Sequence, residues 1–376
     1  QTYYMNVVFR VDSSAIIGSG HVMRCLVLAR ELESRGANVH FICRDHKGNI
    51  ISLIEKAFFR ITILESAEEI IVDKVGVYSE WLGVDQEFDA LQTLAAIGKE
   101  QVDCLVVDHY SLDFIWESIL RQRVDSIFVI DDLANRQHLC DVLLDSNYTG
   151  SALERYAELV SSECTTLFGP EYAIMSDRYR VHTKIPRIRD GSIKNILVYF
   201  GGSDQNNLTG RCLEALDTPE LSGITIDVVI GSMNPHVEYL HSFMANCDNV
   251  QLHKNLPDLS VLINGADLGV GAAGVTTWER MSLGLPSIVV TIAENQEPAA
   301  IALADDSYIS YLGKHSDVTV DHIRAAVLGK FYDKRSVISQ ATQSRALVDG
   351  NGTLRVAEFI CPTTIKNVIL EQKLAI

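Results

Sequence analysis

Short apolar runs rich in β-branched residues alternate along this chain with loops and with apolar positions at helical spacing. Met5–Val11 (MNVVFRV) reads as a strand. A polar loop with Ser13, Ser14, Gly18 and Gly20 follows, and Val22, Leu26, Ala29 and Leu32 then recur on one helical face. Gly36 supplies the left-handed residue that ends such a helix, and Val39–Cys43 is the next strand. Cys104–Asp108 (CLVVD) and Ser126–Asp131 (SIFVID) are almost wholly apolar and close on aspartate. Such strands suit a parallel sheet covered on both faces, with ligands at the carboxyl ends. The segment 61–98 has no clear period and is read as insertion plus helix.

The pattern restarts in the second half. Residues 182–194 (HTKIPRIRDGSIK) are basic, poor in apolar side chains and broken by Pro186 and Gly191, so they make the best linker. Ile196–Phe200 then runs into Gly201-Gly202-Ser203-Asp204 and a helix through Leu208, Cys212 and Leu216. Ile224–Ile230, Ala266–Val270 and Ser287–Ile292 are further strands. The expected fold is α/β, with two Rossmann-like doubly wound domains facing a cleft. Residues 1–181 form the first domain, 182–194 the linker, 195–360 the second domain and 361–376 a tail.

Composition narrows the function. A chain of 376 residues exceeds one ordinary core, and 47% apolar with 22% charged residues excludes disorder. A net charge of −17 offers no basic face, so neither nucleic acid nor an anionic membrane is an expected partner, although one pocket can still be positive. No apolar run is long enough to span a bilayer, and there is no basic-then-apolar signal segment. The eight cysteines contain no C-x-x-C pair and read as buried small hydrophobes. These features lead us to expect a cytoplasmic protein without metal or cofactor, as a monomer or weak dimer.

The richest segment for chemistry is Gly271–Pro286 (GAAGVTTWERMSLGLP). Gly271 and Gly274 are read as letting the backbone turn and approach a ligand, and Thr276 or Thr277 as capping the helix that follows. Gly284 and Pro286 stop that helix early, and its free N–H groups suit a phosphate without a metal. Glu279 either accepts from the hydroxyls of a ribose or is a solvated surface glutamate. Ala293-Glu294-Asn295-Gln296, after the next strand, is either a polar contact or plain turn chemistry. In the first half, Gly18-Ser19-Gly20-His21 is not the full dinucleotide fingerprint, because Met23 stands where it needs glycine and no acidic residue sits at the right spacing. A glycine loop remains that presents His21 at a helix N-terminus, where the dipole favours the neutral ring and leaves it available as a general base. The bland alternative is a histidine that only fills space or caps.

Taken together, the motifs resemble one family. Phe9–Asp12, Ile17–Leu26, Val106–Tyr110, Ile130–Ala134, Phe200–Asp204, Gly274–Arg280, Ala293–Gln296 and Val348–Gly352, in that order over about residues 5–360, look like the UDP-2,4-diacetamido-2,4,6-trideoxy-β-L-altropyranose hydrolases (PseG) of pseudaminic acid biosynthesis. That family has a two-domain GT-B architecture related to the MurG glycosyltransferases. The resemblance implies a UDP-activated diacetamido-sugar as substrate, hydrolysed at C1 with inversion. It assigns the catalytic base to His21, the nucleotide to Gly274, Thr276, Thr277 and Glu279, and a substrate contact to Asn295. Arg10, Asp12, Gly18, Gly20, Gly202, Ser203 and Gln296 complete the expected substrate and UDP contacts. One departure is Ser176, where the family often carries arginine. The rival readings are a MurG-like transferase and a nucleotide-sugar binding module without chemistry.

Overall fold

In the computed structural model, which describes residues 4–66 and 78–362, the β-branched runs form two all-parallel sheets. The first contains β1 (Asn6–Val11), β2 (Asn38–Arg44), β3 (Arg60–Leu64), β4 (Val102–Asp108), β5 (Val124–Ile130), β6 (Val142–Asp145) and β7 (Thr165–Phe168), in the order β3-β2-β1-β4-β5-β6-β7. The second contains β8 (Asn195–Tyr199), β9 (Thr225–Ile230), β10 (Val250–Lys254), β11 (Leu268–Ala272), β12 (Ser287–Thr291) and β13 (Ser310–Lys314), ordered β10-β9-β8-β11-β12-β13. Both are doubly wound Rossmann-like sheets. In each, the strand order reverses beside the first strand, between β1 and β4 and between β8 and β11. Ligands of such sheets bind where that reversal opens the carboxyl edge.

Alternation along β1 explains how the first sheet is covered. Val7, Phe9 and Val11 face one core, with the helix Gly20–Ser34 and the helix Gly352–Ile360. Val8 faces the other core, with Leu105, Val107 and Trp116. The second sheet has its own core around Ile196, Val198, Val228, Val270 and Ile288.

The chain divides into two units at places other than those expected. Residues up to 147, 151–175 and from 351 onward form the first unit, and 148–150 and 176–350 the second. The last helix, expected in the second domain, therefore returns to the first. Arg35 Nη1 meets Glu358 Oε2 at 2.6 Å, and Met175 N donates to Thr353 Oγ1 at 2.9 Å. Gly352 packs so tightly on Ala173 that a Cβ there would collide with its backbone. The proposed linker is likewise fastened down. Residues 182–184 end the helix Asp177–Lys184, whose start is capped by Ser176. Arg187 then pairs with Asp267 at 2.6 Å, and Arg189 donates to carbonyls of residues 263–266 and 283–284.

Of the unassigned 61–98 segment, Arg60–Leu64 is strand and Gln86–Ile97 is helix, and residues 67–77 lie outside the described residues. So does the tail beyond Pro362. Among the described residues no helix is long and apolar enough to cross a membrane.

Candidate active site

The carboxyl edge of the first sheet is built from charged side chains. Gly18 turns the loop after β1 with φ +79, and its N–H closes on Ser14 O at 2.9 Å. The helix then starts at Gly20, with no side chain capping it, and His21 lies in its first turn. Gly18 and Gly20 are exposed, and His21 is 9% exposed.

Asp108 ends β4, the neighbour of β1, and its Oδ1 lies 2.6 Å from His21 Nδ1. An ionised carboxylate can only accept, so the shared proton belongs to Nδ1, and Nε2 of the neutral ring carries the free lone pair. One helical turn on, Arg24 grips Asp108 with both arms, Nε to Oδ2 at 2.6 Å and Nη2 to Oδ1 at 2.7 Å. Burial alone would raise the Asp108 carboxyl, but Arg24 and then His21 outweigh it and hold it well below the usual carboxylate range. The third Arg24 nitrogen reaches Asp132 Oδ2 at 2.9 Å, which also accepts from Tyr110 Oη at 2.7 Å. The Tyr110 ring meets His21 edge-on at 4.6 Å and stacks on Trp81 at 5.4 Å, with Tyr78 against both.

Three more histidines in this unit pair with carboxylates, and His46 does so most loosely, its Nε2 3.3 Å from Asp12 Oδ2. His109 donates from Nε2 to Asp12 at 3.0 Å and accepts at Nδ1 from Ser111 N at 3.1 Å, so both nitrogens are used. Burial pulls its pKa down despite Asp12, which keeps it neutral. His138 binds Glu117 through Nδ1 at 2.6 Å, but its Nε2 is shut in the interior without a partner. His21 combines an oriented ring with a nitrogen at a sheet edge.

Arg10 and Asp12, expected as substrate contacts, are instead fully buried at 0% exposure. Arg10 binds Asp12 at 2.5 Å and Asp89 at 2.7 Å; Arg44 binds Asp89 at 2.6 Å; Asp12 also accepts from Arg44 N at 2.7 Å. Two arginines and two carboxylates balance, and Trp116 Nε1 donates to Asp89 at 2.9 Å. This lattice ties the ends of β1 and β2 to the helix carrying Asp89.

The second sheet's edge is built from backbone. Two glycine loops feed helices there, and they differ. Asp204 accepts from Leu208 N at 2.9 Å and Thr209 N at 2.8 Å, and Asn207 from Gly210 N at 3.1 Å, so the helix Leu208–Leu216 is capped by its own loop. Gly202 and Ser203 stay exposed beside it, with Gly202 packed directly on Gly231. The helix Val275–Ser282 has no side-chain cap. Its N-cap is Gly274 at φ +114, not Thr276 or Thr277, which lie inside the first turn. Thr277 N donates to Gly274 O at 2.9 Å, and no side chain covers the N–H groups before it, an arrangement that suits an anion. Gly271 does not turn the chain; it is a residue of β11.

Glu279 is not a solvated surface side chain. It keeps a partly exposed edge yet is closely surrounded, and burial pushes its carboxyl up to about 7 against the lowering effect of a Tyr179 hydrogen bond. Tyr179 Oη in turn accepts from Leu259 N at 3.1 Å. Gln296 Oε1 accepts from Ile292 N at 3.0 Å, and its Nε2 lies 3.5 Å from where a Gly274 Cβ would be. Asn295 is exposed on the same short turn. The structure thus gathers Gly274, Thr276, Thr277 and Gln296 at one helix end, with Glu279 further along the same helix against Tyr179. Among the described residues no group of three or more His, Cys, Asp or Glu is placed to hold a metal.

Sequence reading missed Asp108, Arg24, Asp132, Tyr110, Trp81, Tyr179 and Arg280 as site residues. Asp108 had a signal, an aspartate closing a buried strand. Arg24 sits one turn after His21, which helical spacing alone would place on the same face.

No family model matches the chain. It is 25% identical over 304 residues to the UDP-2,4-diacetamido-2,4,6-trideoxy-beta-L-altropyranose hydrolase of Campylobacter jejuni, covering 81% of this chain and 98% of that protein. The chain is a homologue of that hydrolase. It is also 24% identical over 336 residues to the uncharacterized protein MJ1062 of Methanocaldococcus jannaschii, covering 88% of this chain but 62% of that longer relative. Acinetobacter baumannii MurG shares the fold, with a TM-score of 0.64 at 17% identity over 94% of this chain and 99% of that one. Two Rossmann-like domains of GT-B type are therefore the architecture.

Proposed function

We propose that this protein hydrolyses a UDP-linked 2,4-diacetamido-2,4,6-trideoxy-hexose, the sugar class named for its C. jejuni homologue, in pseudaminic acid biosynthesis. The observation that carries this reading is the His21–Asp108–Arg24 array, which engages His21 Nδ1 on a carboxylate and leaves Nε2 for another partner. His21 Nε2 takes a proton from water as the water oxygen bonds to C1 of the sugar. The bond from C1 to the phosphate oxygen breaks, its electron pair leaves with UDP, and C1 inverts. Asp108 stabilises the imidazolium that forms, as a buried carboxylate does for a catalytic histidine. Positioned proton transfer of this kind contributes ~10² to 10⁴ in rate. The second unit holds the nucleotide: its uncapped helix end takes the diphosphate and Glu279 the ribose hydroxyls.

A MurG-like transferase is the alternative, favoured by the shared fold. Incubation with a panel of UDP-diacetamido-sugars in ¹⁸O-labelled water, without an acceptor, separates the two. Free sugar carrying the label at C1 supports hydrolysis. Sugar release only when an alcohol is added supports transfer, and label on UDP contradicts attack at C1.

A further inference from the structure

Arg280 lies in the helix Val275–Ser282 at 3% exposure, and its side chain leans back toward the helix N-terminus, as helical side chains do. Every hydrogen bond it makes ends on a neutral oxygen. Nε donates to Ser287 Oγ at 3.1 Å, and Nη2 to the Ala272 carbonyl at 2.9 Å and Thr277 Oγ1 at 3.3 Å; Nη1 donates to Thr276 Oγ1 at 3.3 Å. Glu279, its sequence neighbour, acts on it only from a distance and holds a proton up to about pH 7.

The other buried arginines are compensated. Arg10, Arg24 and Arg44 sit on aspartates. Arg189 lies against carbonyls at the C-terminal ends of two helices, where a cation is favoured. Arg280 belongs to the last turn of its helix, but its guanidinium reaches back to the first-turn hydroxyls and the Ala272 carbonyl, away from the C-terminal carbonyls, and burial lowers its pKa to about 10. Two glycines of β11 make room for it. A Cβ on Gly271 would fall 2.9 Å from Nη1 and onto the Tyr199 carbonyl, and one on Gly269 would lie 3.0 Å from Cδ. A strand that gives up two side chains to admit a cation with no carboxylate among its hydrogen-bond partners, beneath an uncapped helix end, suits an anion above it.

The hydroxyls supply the link. A guanidinium only donates, so Thr276 and Thr277 accept from Arg280 and their own protons point elsewhere. Thr276 keeps an exposed edge in the first turn. We propose that Arg280 is the buried counter-cation of the nucleotide's diphosphate, acting through the Thr276 hydroxyl. It is a positioning residue that makes this unit prefer a diphosphate to a bare nucleoside. This inference rests on the nucleotide reading of the second unit.

Calorimetric titration of UDP, uridine and inorganic pyrophosphate against the full chain and its Arg280→Met, Arg280→Lys and Thr276→Val variants tests it, with melting temperatures recorded alongside. For Arg280→Met, UDP and pyrophosphate affinity should fall by about 10- to 100-fold, the scale of a lost charge-assisted contact, with uridine unchanged. Arg280→Lys should recover part of that loss. Thr276→Val should weaken UDP and pyrophosphate, not uridine, without lowering the melting temperature, and it decides the matter if Arg280→Met does not fold. Equal loss of UDP and uridine in the arginine variants, or full UDP affinity in Thr276→Val, overturns the inference. Pyrophosphate binding that depends on Arg280, with no gain from attached uridine, leaves the inference standing and defeats the nucleotide reading instead.

Discussion

The two units share one strand order but furnish the same edge with opposite materials. Where β1 and β4 part, the first unit places Asp108, Arg24, Asp132, Tyr110 and His21, with Arg10, Asp12, Asp89 and Arg44 buried beneath them. Where β8 and β11 part, the second unit places glycines, threonine hydroxyls and uncapped backbone N–H groups. Ion-paired side chains can hold a titrating group in one orientation and stabilise a charge that appears during reaction. Free backbone amides cannot move a proton, but they can hold an anion that is present throughout. On the proposed reading, one fold serves two tasks by what it puts at a single topological position.

Breaking the first edge should cost turnover, and the largest effect after loss of His21 itself is expected from Asp108→Asn. The amide offers an N–H where Nδ1 needs an acceptor, so the ring loses its enforced tautomer, and turnover should fall by roughly 10² to 10⁴. The affinity of the second unit for UDP should not change, which parallel kinetics and calorimetry would check. A variant that binds UDP poorly would blur the division between the units.

Asp89→Asn attacks the layer below. It leaves Arg10 and Arg44 short of a buried counter-charge, and breaking such a pair costs about 3–5 kcal/mol. Denaturant unfolding should show that loss, while folded protein at low temperature should keep most of its turnover, because Asp89 touches no reacting group. Equal loss of turnover and stability would make the lattice part of the chemistry.

The smallest effect concerns Glu279. With its carboxyl raised to about 7, it is mostly protonated at pH 6 and mostly ionised at pH 8. Only the carboxylate accepts from two ribose hydroxyls, so affinity for uridine, which has no phosphate to titrate, should rise with pH across that window. Glu279→Gln should flatten the rise. The sign for folding is opposite. Between the ordinary carboxylate range and pH 7 the folded form holds a proton that the unfolded chain has lost, so this group makes stability decline as pH rises.

The legible and illegible parts of the molecule separate for physical reasons. β1, β4, β5, β8 and β12 are apolar on both faces and read directly as strands. β10 (VQLHK) and β13 (SYLGK) lie at the sheet edge and carry polar residues, so their patterns are weak. β6 and β7 are four residues each, too short for any period to register. The return of the helix Gly352–Ile360 to the first unit depends on contacts such as Arg35–Glu358, more than three hundred positions apart. In the site, His21 and Gly274 could be found because glycine-rich loops after strands mark sheet edges. Arg10 and Asp12 looked like ligand contacts because charge at a strand end is visible and burial is not. Asp108 had its position at a strand end as a signal, but its pairing with His21 and Arg24, like the contacts of Arg280, needed the fold.

The most direct test of this division of labour is His21→Asn, assayed for hydrolysis of the UDP-diacetamido-sugar and titrated with UDP on the same preparation. Turnover should be lost by at least about 10²-fold, the scale of a missing general base, with UDP affinity unchanged. Hydrolysis at a near wild-type rate would contradict the assignment of the reaction to the first unit's edge.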